Sequence, residues 1–116
     1  MSTVHLTDRA MDDLQGIYDY SIREWGQTTA LKYMRAFDSA LSIIGQNSGL
    51  IRINRKISSK FSVYNVRNHY LICDVIEAEV YVLTVKHVSM DLLERLKDLE
   101  PQLDKEVSIL KSRLNL

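Results

Sequence analysis

The sequence predicts an α+β fold. A short N-terminal strand and an antiparallel helical hairpin pack on a three- to four-stranded antiparallel sheet, and a helical extension follows. Apolar residues recur every three or four positions before about residue 45, form β-branched and aromatic runs between 61 and 85, and return to helical spacing after 91. The chain has 116 residues, enough for one core and too few for two. We expect residues 1–96 to form the domain and residues 97–116 the extension.

The first strand and first helix have clear local signals. Val4 and Leu6 alternate with polar residues, which predicts a short strand. Thr7 is suited to cap the helix that follows, because its side chain can accept a hydrogen bond from a free backbone N–H group. Helical spacing continues to Trp25, and Gly26 ends the helix because glycine adopts a positive φ without steric cost.

A second helix follows directly. Thr28 or Thr29 can cap it, its apolar positions reach Ile44, and the turn residues 45–49 end it. The link around Gly26 is so short that the two helices must form an antiparallel hairpin.

Three strands come next. The runs of strand length are Phe61–Val66, His69–Ile76 and Val80–Val85. Their links are short enough only for hairpins, which predicts an antiparallel meander covered on one face by the helical hairpin.

The C-terminal segment carries one apolar row at helical spacing, made of Leu99, Leu103, Val107, Leu110 and Leu114. Pro101 either opens a second helical segment or kinks a single helix. Such a row must be buried, since each large side chain gains roughly 1.5–3 kcal/mol on leaving water. Either the chain's own sheet or hairpin covers it, or a second protein chain does. We expect a second chain, because the segment lies beyond the predicted domain.

Charge is balanced overall but uneven along the chain. The 15 basic residues match the 15 acidic ones, yet no acidic residue occurs between Ser39 and Cys73. That segment contains Arg52, Arg55, Lys56, Lys60 and Arg67. A local basic surface indicates an anionic partner, either nucleic acid or an acidic polypeptide. The alternative is a solvated strand edge that Lys and Arg keep from aggregating.

Several functional classes find no support in the sequence. It has no long apolar run and no signal-peptide pattern, so we expect a cytoplasmic protein with no membrane span. Cys73 lies in an apolar run and is expected to be a buried, reduced side chain. The scattered His5, His69 and His87 give no zinc-ligand spacing, and no phosphate-binding glycine loop occurs. We expect no metal and no cofactor, and we interpret His5 and His69 as ordinary surface residues.

The order of elements resembles the RelE/ParE toxins, over roughly residues 3 to 95. The pieces that carry the resemblance are Leu6-Thr7, Ala10, Leu14, Ile17-Tyr18-Asp19-Tyr20, Trp25-Gly26, Ala30, Tyr33 and the closing Val82-Leu83-Thr84-Val85-Lys86-His87-Val88 running on to Met90-Asp91. Two positions depart from the pattern. Ser48 stands where the family often has a proline before glycine, and Cys73 stands where it often has a tyrosine.

The resemblance implies one of two toxic activities. RelE-like members cleave messenger RNA on the ribosome, with lysines and arginines on the sheet and a tyrosine or a histidine–tyrosine pair near the C-terminus. Here Arg67 resembles the sheet arginine and Lys56 or Lys60 one lysine, but residues 90–116 contain neither tyrosine nor histidine. His87 is the remaining candidate for acid–base chemistry, since its ordinary pKa is about 6.5. ParE-like members, which have a long helical hairpin and often a histidine at this strand end, poison DNA gyrase by binding it.

We therefore expect a ParE-like toxin of a type II toxin–antitoxin system, with no catalytic residue. The expected partners are a cognate antitoxin and DNA gyrase as the target, without sequence-specific DNA binding by the toxin alone. The second chain expected on the C-terminal row is then the antitoxin or another toxin copy. A ribosome-dependent ribonuclease and a degenerate toxin that only binds its partner stay as alternatives. The residues expected to contact target or antitoxin are Arg52, Arg55, Lys56, Lys60, Arg67, Lys86 and His87.

Overall fold

A computed structural model describes residues 3–89 and 91–114, with side chains up to residue 113. Met90, one of the residues that carry the family resemblance, lies outside these ranges. Within them, the chain forms β1 (Val4–Leu6), α1 (Asp8–Trp25), α2 (Gln27–Gln46), β2 (Arg52–Ile53), β3 (Ser62–Val66), β4 (His69–Ile76), β5 (Glu79–His87) and α3 (Leu92–Leu114), with a 3₁₀ turn at Ser48–Leu50 between α2 and β2.

The strands form one sheet in the order β1-β5-β4-β3-β2. The pairs from β2 to β5 are antiparallel, and β1 pairs in parallel with β5, Val4 opposite Val80. The predicted α+β class is confirmed. The expected antiparallel sheet of three or four strands is instead a mixed sheet of five among the described residues. β2 was missed because two residues are too few to show an alternating pattern.

The helical hairpin forms as its local signals predict. The Thr7 side chain accepts from Ala10 N at 3.2 Å, which confirms it as the cap of α1. Gly26, with φ +84°, is the single residue between the two helices. The predicted cap at Thr28 or Thr29 is wrong, because Gly26 turns the chain by itself and α2 begins at Gln27 without a side-chain cap.

One face of the sheet is covered by the hairpin. Phe37, Ala40 and Ile44 of α2 are buried against Leu71 and Cys73 of β4, together with residues of α1 and β5. Cys73 is fully buried, which confirms the reading of it as a small core residue and raises the pKa of its thiol to about 12. A thiol in this state is uncharged and inert at neutral pH.

The other face is covered by α3, which corrects the expected C-terminal interface. Leu103 is 0% exposed and Val107 is 7% exposed in a core shared with Leu83 and other sheet residues, and Leu99 and Leu110 pack against that core. The preference for a second chain is therefore wrong for these four residues, because β4 and β5 offer a second apolar face that α3 covers. The side chain of Leu114 lies outside the described residues.

α3 is a single helix that runs through Pro101, so this proline does not separate two helical segments. The Pro101 side chain is exposed, on the side of α3 away from the sheet. In the described ranges, no helix has the length and apolar character required to cross a bilayer.

Candidate functional site

A cleft of about 580 Å³ opens where α1 passes over the ends of β4 and β5. Its walls come from both helices of the hairpin, from the turn between β3 and β4, and from the two strands. The residues that line it are Asp12, Asp13, Gly16, Ile17, Tyr20, Ser21, Trp25, Tyr33, Asn68, His69, Val85 and His87.

α1 supplies one wall through two adjacent rows of residues. One row consists of Asp12, Gly16 and Tyr20, each four positions after the one before. The other consists of Asp13, Ile17, Ser21 and Trp25, at the same spacing. Residues at this spacing lie on one face of a helix. A Cβ atom added at Gly16 meets nothing within 4 Å, so the absence of a side chain there leaves the cleft open rather than relieving a close contact.

Asp13 has a structural role in this wall. β1 ends at Leu6, so β5 has no strand neighbour on that side beyond the bulge at Leu83, where the register with β4 shifts. The Asp13 carboxylate accepts hydrogen bonds from Val85 N at 2.9 Å and from the buried hydroxyl of Thr84. It thereby satisfies polar groups at an open sheet edge that would otherwise lose water on folding.

The opposite wall is a cluster of aromatic and imidazole rings. The Tyr33 hydroxyl and His69 Nδ1 share a hydrogen bond of 2.7 Å, and the ring centres of His69 and His87 lie 5.2 Å apart. Burial, with a smaller contribution from His87, lowers the pKa of His69 to about 4. Burial also raises the pKa of Tyr33. Both side chains are therefore uncharged at neutral pH, and the reading of His69 as an ordinary surface residue is wrong.

His5, also read as a surface residue, does not line the cleft. It stands in β1, stacks on the ring of Tyr81 with 4.7 Å between ring centres, and places Nε2 4.0 Å from Glu79. Neither Tyr81 nor Glu79 lines the cleft.

The mouth of the cleft is formed by exposed aromatic rings. Tyr20 is 50% exposed and Trp25 is 54% exposed, and their rings meet edge to face with 6.0 Å between centres. Trp25 also lies 6.3 Å from the ring of Tyr33. Large aromatic side chains left half in water beside a cavity are typical of binding surfaces.

The charge of the cleft is negative. Asp12 and Asp13 line it, and no lysine or arginine does so in the described part of the chain. Asp12 is exposed and makes neither an ion pair nor a side-chain hydrogen bond with any described residue. With His69 uncharged, the fixed charges that face the cavity are carboxylates.

The basic residues predicted as binding residues do not form one surface. Arg67 lies in the turn between β3 and β4, and Lys86 and His87 end β5 beside it, since His87 pairs with His69 and His69 with Val66. These three residues lie at the same end of the sheet as the cleft. We call them the turn group.

The remaining basic residues lie elsewhere on the sheet. Arg52 is in the edge strand β2, opposite Val63. Arg55, Lys56 and Lys60 lie in the loop between β2 and β3, which enters β3 at Ser62, at the other end of that strand from Arg67. Lys60 forms an ion pair with Asp104 of α3, whereas Arg55 and Lys56 are exposed. We call Arg55 and Lys56 the loop pair.

The described residues contain no group of three or more His, Cys, Asp or Glu side chains that could hold a metal ion. The cleft residues other than His87 were not predicted as site residues from the sequence. The row Asp12, Gly16 and Tyr20 was the available signal, because a helix face with an acid, a glycine and an aromatic residue is not the usual apolar stripe.

Comparison with known proteins identifies the fold and its relatives. The family model described as "ParE toxin of type II toxin-antitoxin system, parDE" matches residues 4–92. A curated Toxin ParE from Escherichia coli is 27% identical over 99 residues, which cover 84% of this chain and 96% of that protein. The solved structure "Chromosomal ParDE TA system from P. aeruginosa" is similar with a TM-score of 0.67 and 19% identity, and covers 77% of this chain and 98% of that one.

The last similarity is one of fold alone at this level of identity. The family match ends at the first residue of α3, so most of that helix lies beyond it. The match nevertheless spans β1, the helical hairpin and the whole sheet, and it includes every residue that lines the cleft. This chain belongs to the ParE toxin family of type II toxin–antitoxin systems.

Proposed function

We propose that this protein is a toxin that inhibits DNA gyrase by binding it, and that a cognate antitoxin neutralises it in the cytoplasm. Membership of the ParE family supports this proposal. One observation of the structure favours a binding mode over RNA cleavage: the cavity beside His87, the candidate for acid–base chemistry, is lined by carboxylates and by no cation among the described residues.

The chemical reason is the charge of the RNA backbone. Cleavage by a 2′-hydroxyl places extra negative charge on the phosphate, and an enzyme stabilises it with positive groups held around that atom. Asp12 and Asp13 have the opposite effect on a phosphate in this cleft. His69 adds no charge at neutral pH, since its pKa is about 4. Arg67 and Lys86 lie at the same end of the sheet as His87 but do not line the cavity, so a phosphate bound inside it would meet carboxylates and not cations.

We further propose that the turn group and the loop pair bind different partners or different parts of one partner. The five residues of β3 separate these two groups of exposed cations, so one compact anionic patch cannot contact both. The contact of Lys60 with Asp104 already uses one cation of the basic segment within the fold. The antitoxin or gyrase surfaces that meet these residues are expected to be acidic.

The direct test uses purified gyrase and purified toxin. We expect the toxin to inhibit supercoiling and to raise the amount of cleaved DNA bound to gyrase, and the antitoxin encoded beside it to reverse both effects. A parallel assay with translating ribosomes is expected to leave messenger RNA uncut. Cut messages with unaffected gyrase would establish the ribonuclease alternative, and a protein inactive in both assays that still binds its antitoxin would be a degenerate toxin.

Charge reversal tests the loop pair. Arg55→Glu combined with Lys56→Glu is expected to weaken antitoxin binding or gyrase inhibition, more strongly at low salt, because screening is then weakest. Lys97→Glu with Lys105→Glu on exposed positions of α3 makes the same change in net charge and serves as the control. Equal behaviour of the two double variants would leave the loop pair with a role in solubility only.

A further inference from the structure

We propose that an extended segment of the antitoxin lies along α1 over Gly16 and is held at two separate points of the cleft. A basic residue of the segment contacts Asp12, and a large apolar residue packs on the rings of Tyr20 and Trp25. This inference rests on the proposed neutralisation by an antitoxin. It assigns to that interaction a path and a pair of side chains at a defined spacing.

Gly16 is a residue of the cleft that the fold itself does not explain. It stands in the interior of α1, where glycine destabilises a helix relative to alanine because it has more backbone freedom to lose. Its φ is not positive, and a Cβ atom added to it meets nothing within 4 Å in the described part of the chain. Neither a turn nor a close neighbour there requires glycine. A glycine that lines an open cleft does allow the backbone of a partner to approach the helix closely.

The residues on the two sides of Gly16 differ in chemistry. Asp12 comes four positions before it, Tyr20 four positions after it, and Trp25 five positions after Tyr20. An α-helix rises roughly 1.5 Å per residue, so Asp12 lies about 12 Å from Tyr20 and about 20 Å from Trp25 along the helix axis. The carboxylate and the rings are therefore two separate contact points, and the path between them passes over Gly16.

Asp12 is the charged contact point. It is exposed and makes neither an ion pair nor a side-chain hydrogen bond with any described residue, whereas Asp13 is engaged by Val85 N. Among the described residues, no lysine or arginine lines the cleft. A basic side chain would supply the partner that Asp12 lacks. An exposed ion pair contributes little affinity, so its main effect is to fix the position of the segment.

The rings form the apolar contact point. Tyr20 is 50% exposed and Trp25 is 54% exposed, with 6.0 Å between ring centres, and Tyr33 lies 6.3 Å from Trp25. Tyr33 continues this row of rings to His69 at 5.8 Å. Half-exposed rings gain free energy when a large apolar side chain removes them from water. Contacts of this kind commonly carry most of the binding energy of an interface.

The separation of the two points predicts the spacing of the two antitoxin residues. An extended chain advances about 3.3 Å per residue, so 12–20 Å corresponds to about four to six positions. A helical segment parallel to α1 would instead separate the two residues by about eight to thirteen positions.

The antitoxin is the partner that the family description names. His87 of the turn group lines the cleft together with Trp25, so a segment that passes the rings next reaches Arg67 and Lys86. Charge complementarity therefore predicts a basic residue, a large apolar residue and then acidic residues along the segment, in this order or in the reverse order. Opposite charges at the two ends of the path fix the register of such a segment.

The first experiment follows Trp25, the single tryptophan of the chain. Toxin that contains fluorotryptophan gives one fluorine NMR signal, and the purified, unlabelled cognate antitoxin adds none. We expect this signal to shift in the complex and to lose most of its difference between light and heavy water, because the ring leaves the solvent. A signal that keeps its full solvent difference in a stoichiometric complex would overturn the apolar contact.

The second experiment measures the antitoxin affinity of toxin variants by calorimetry. Trp25→Ala and Gly16→Leu are each expected to weaken binding about tenfold or more, the first by removing the apolar contact and the second by filling the path. Asp12→Asn is expected to weaken it about two- to fivefold, and less at high salt. The matched controls are substitutions at exposed residues that do not line the cleft, namely Met11→Ala, Gln15→Leu and Asp38→Asn.

The controls are expected to bind the antitoxin as the wild type does. Equal weakening by a variant and its control would reduce the effect to a general change of charge or surface and overturn the site. Wild-type affinity of Gly16→Leu would overturn the path along α1.

The third experiment locates the two antitoxin residues. Each basic residue of the antitoxin is replaced by glutamine and each large apolar residue by alanine. We expect one basic replacement to weaken binding to wild-type toxin but not to Asp12→Asn, and one apolar replacement to weaken it for wild type but not for Trp25→Ala. The two antitoxin residues are expected to lie about four to six positions apart.

The absence of either coupled residue, or a spacing of about eight to thirteen positions, would overturn the extended segment. A wild-type toxin that binds no antitoxin refutes the proposed neutralisation and this inference with it. A toxin that binds its antitoxin but leaves gyrase unaffected refutes the proposed target without altering any of these readouts.

Discussion

Leu103 is the residue through which the position of α3 can be tested most directly. It is 0% exposed and packs in the core that α3 shares with the sheet. Replacing it by alanine leaves a cavity between the helix and the sheet, because neither surface can close fully around the missing atoms. The expected loss is about 2–5 kcal/mol in the free energy of unfolding.

This loss is measurable as a shift in Tm. For a domain of this size, 1 kcal/mol corresponds to a Tm change of about 4 °C, so Leu103→Ala is expected to lower Tm by roughly 8–20 °C. Ile109 is the matched control, since it lies on the same helix and is 44% exposed. Ile109→Ala is expected to change stability by about 0.5 kcal/mol or less.

The assay is thermal unfolding of the isolated toxin by circular dichroism, together with antitoxin affinity at a temperature where each variant is folded. We expect Leu103→Ala to lose stability and to keep its affinity for the antitoxin. A truncation after Pro101, which removes Leu103 and Val107, is expected to aggregate. If Leu103→Ala matched Ile109→Ala in Tm but lost antitoxin affinity, α3 would be a binding element and the burial argument would be refuted.

Three further predictions concern the cleft and its walls. Asp13→Ala is expected to lower the free energy of unfolding in urea by about 1–3 kcal/mol, because it leaves buried donors unpaired. Asp12→Ala, on the solvent side, is expected to lower it little. Equal losses in the two variants would refute the structural role of Asp13. Because the pKa of His69 is lowered to about 4 from 6.5, the unfolded chain binds a proton first as pH falls. The free energy of unfolding should therefore decrease between about pH 6.5 and 4, and His69→Gln should flatten this decrease, while an unchanged profile would contradict the assignment. His87→Ala is expected to leave toxicity within a few-fold of wild type in pulsed expression, and lost toxicity with lost message cleavage would favour the ribonuclease alternative.

The elements that local chemistry determines could be predicted from the sequence. Thr7 and Gly26 specify the start and end of α1 through groups that act within a few residues. β2 could not be predicted, because its two residues form a strand only through their pairing with β3. The parallel direction of β1 could not be predicted either, because it depends on which strand β1 pairs with and not on the residues Val4–Leu6.

The sequence does contain a pattern that predicts where α3 packs. β4 and β5 contain nearly continuous apolar runs, such as Leu71-Ile72-Cys73 and Val80–Leu83, and such runs indicate strands that are buried on both faces. A sheet with two apolar faces needs a second cover, and α3 provides it.

The cleft was less predictable, because it brings together residues distant in sequence. Tyr33 and His69 share a hydrogen bond across 36 positions, and no local pattern in either segment indicates that contact. Asp12, Gly16 and Tyr20 could be placed on one helix face from their spacing, but what that face opposes depends on the strands. The negative charge of the cavity follows from this assembly and not from the neutral overall composition.

The parallel pairing of β1 with β5 also affects how the toxin is made. Val4 is among the first residues to leave the ribosome, yet its partner Val80 and the covering residues of α3 are synthesised much later. Bacterial and eukaryotic ribosomes add about 5–20 residues per second, so β1 waits on the order of ten seconds for its neighbours. During that interval the wall that Asp13 holds against β5 does not exist. The wall and the sheet of the cleft are therefore completed only near the end of synthesis, when β5 has followed the helical hairpin out of the ribosome.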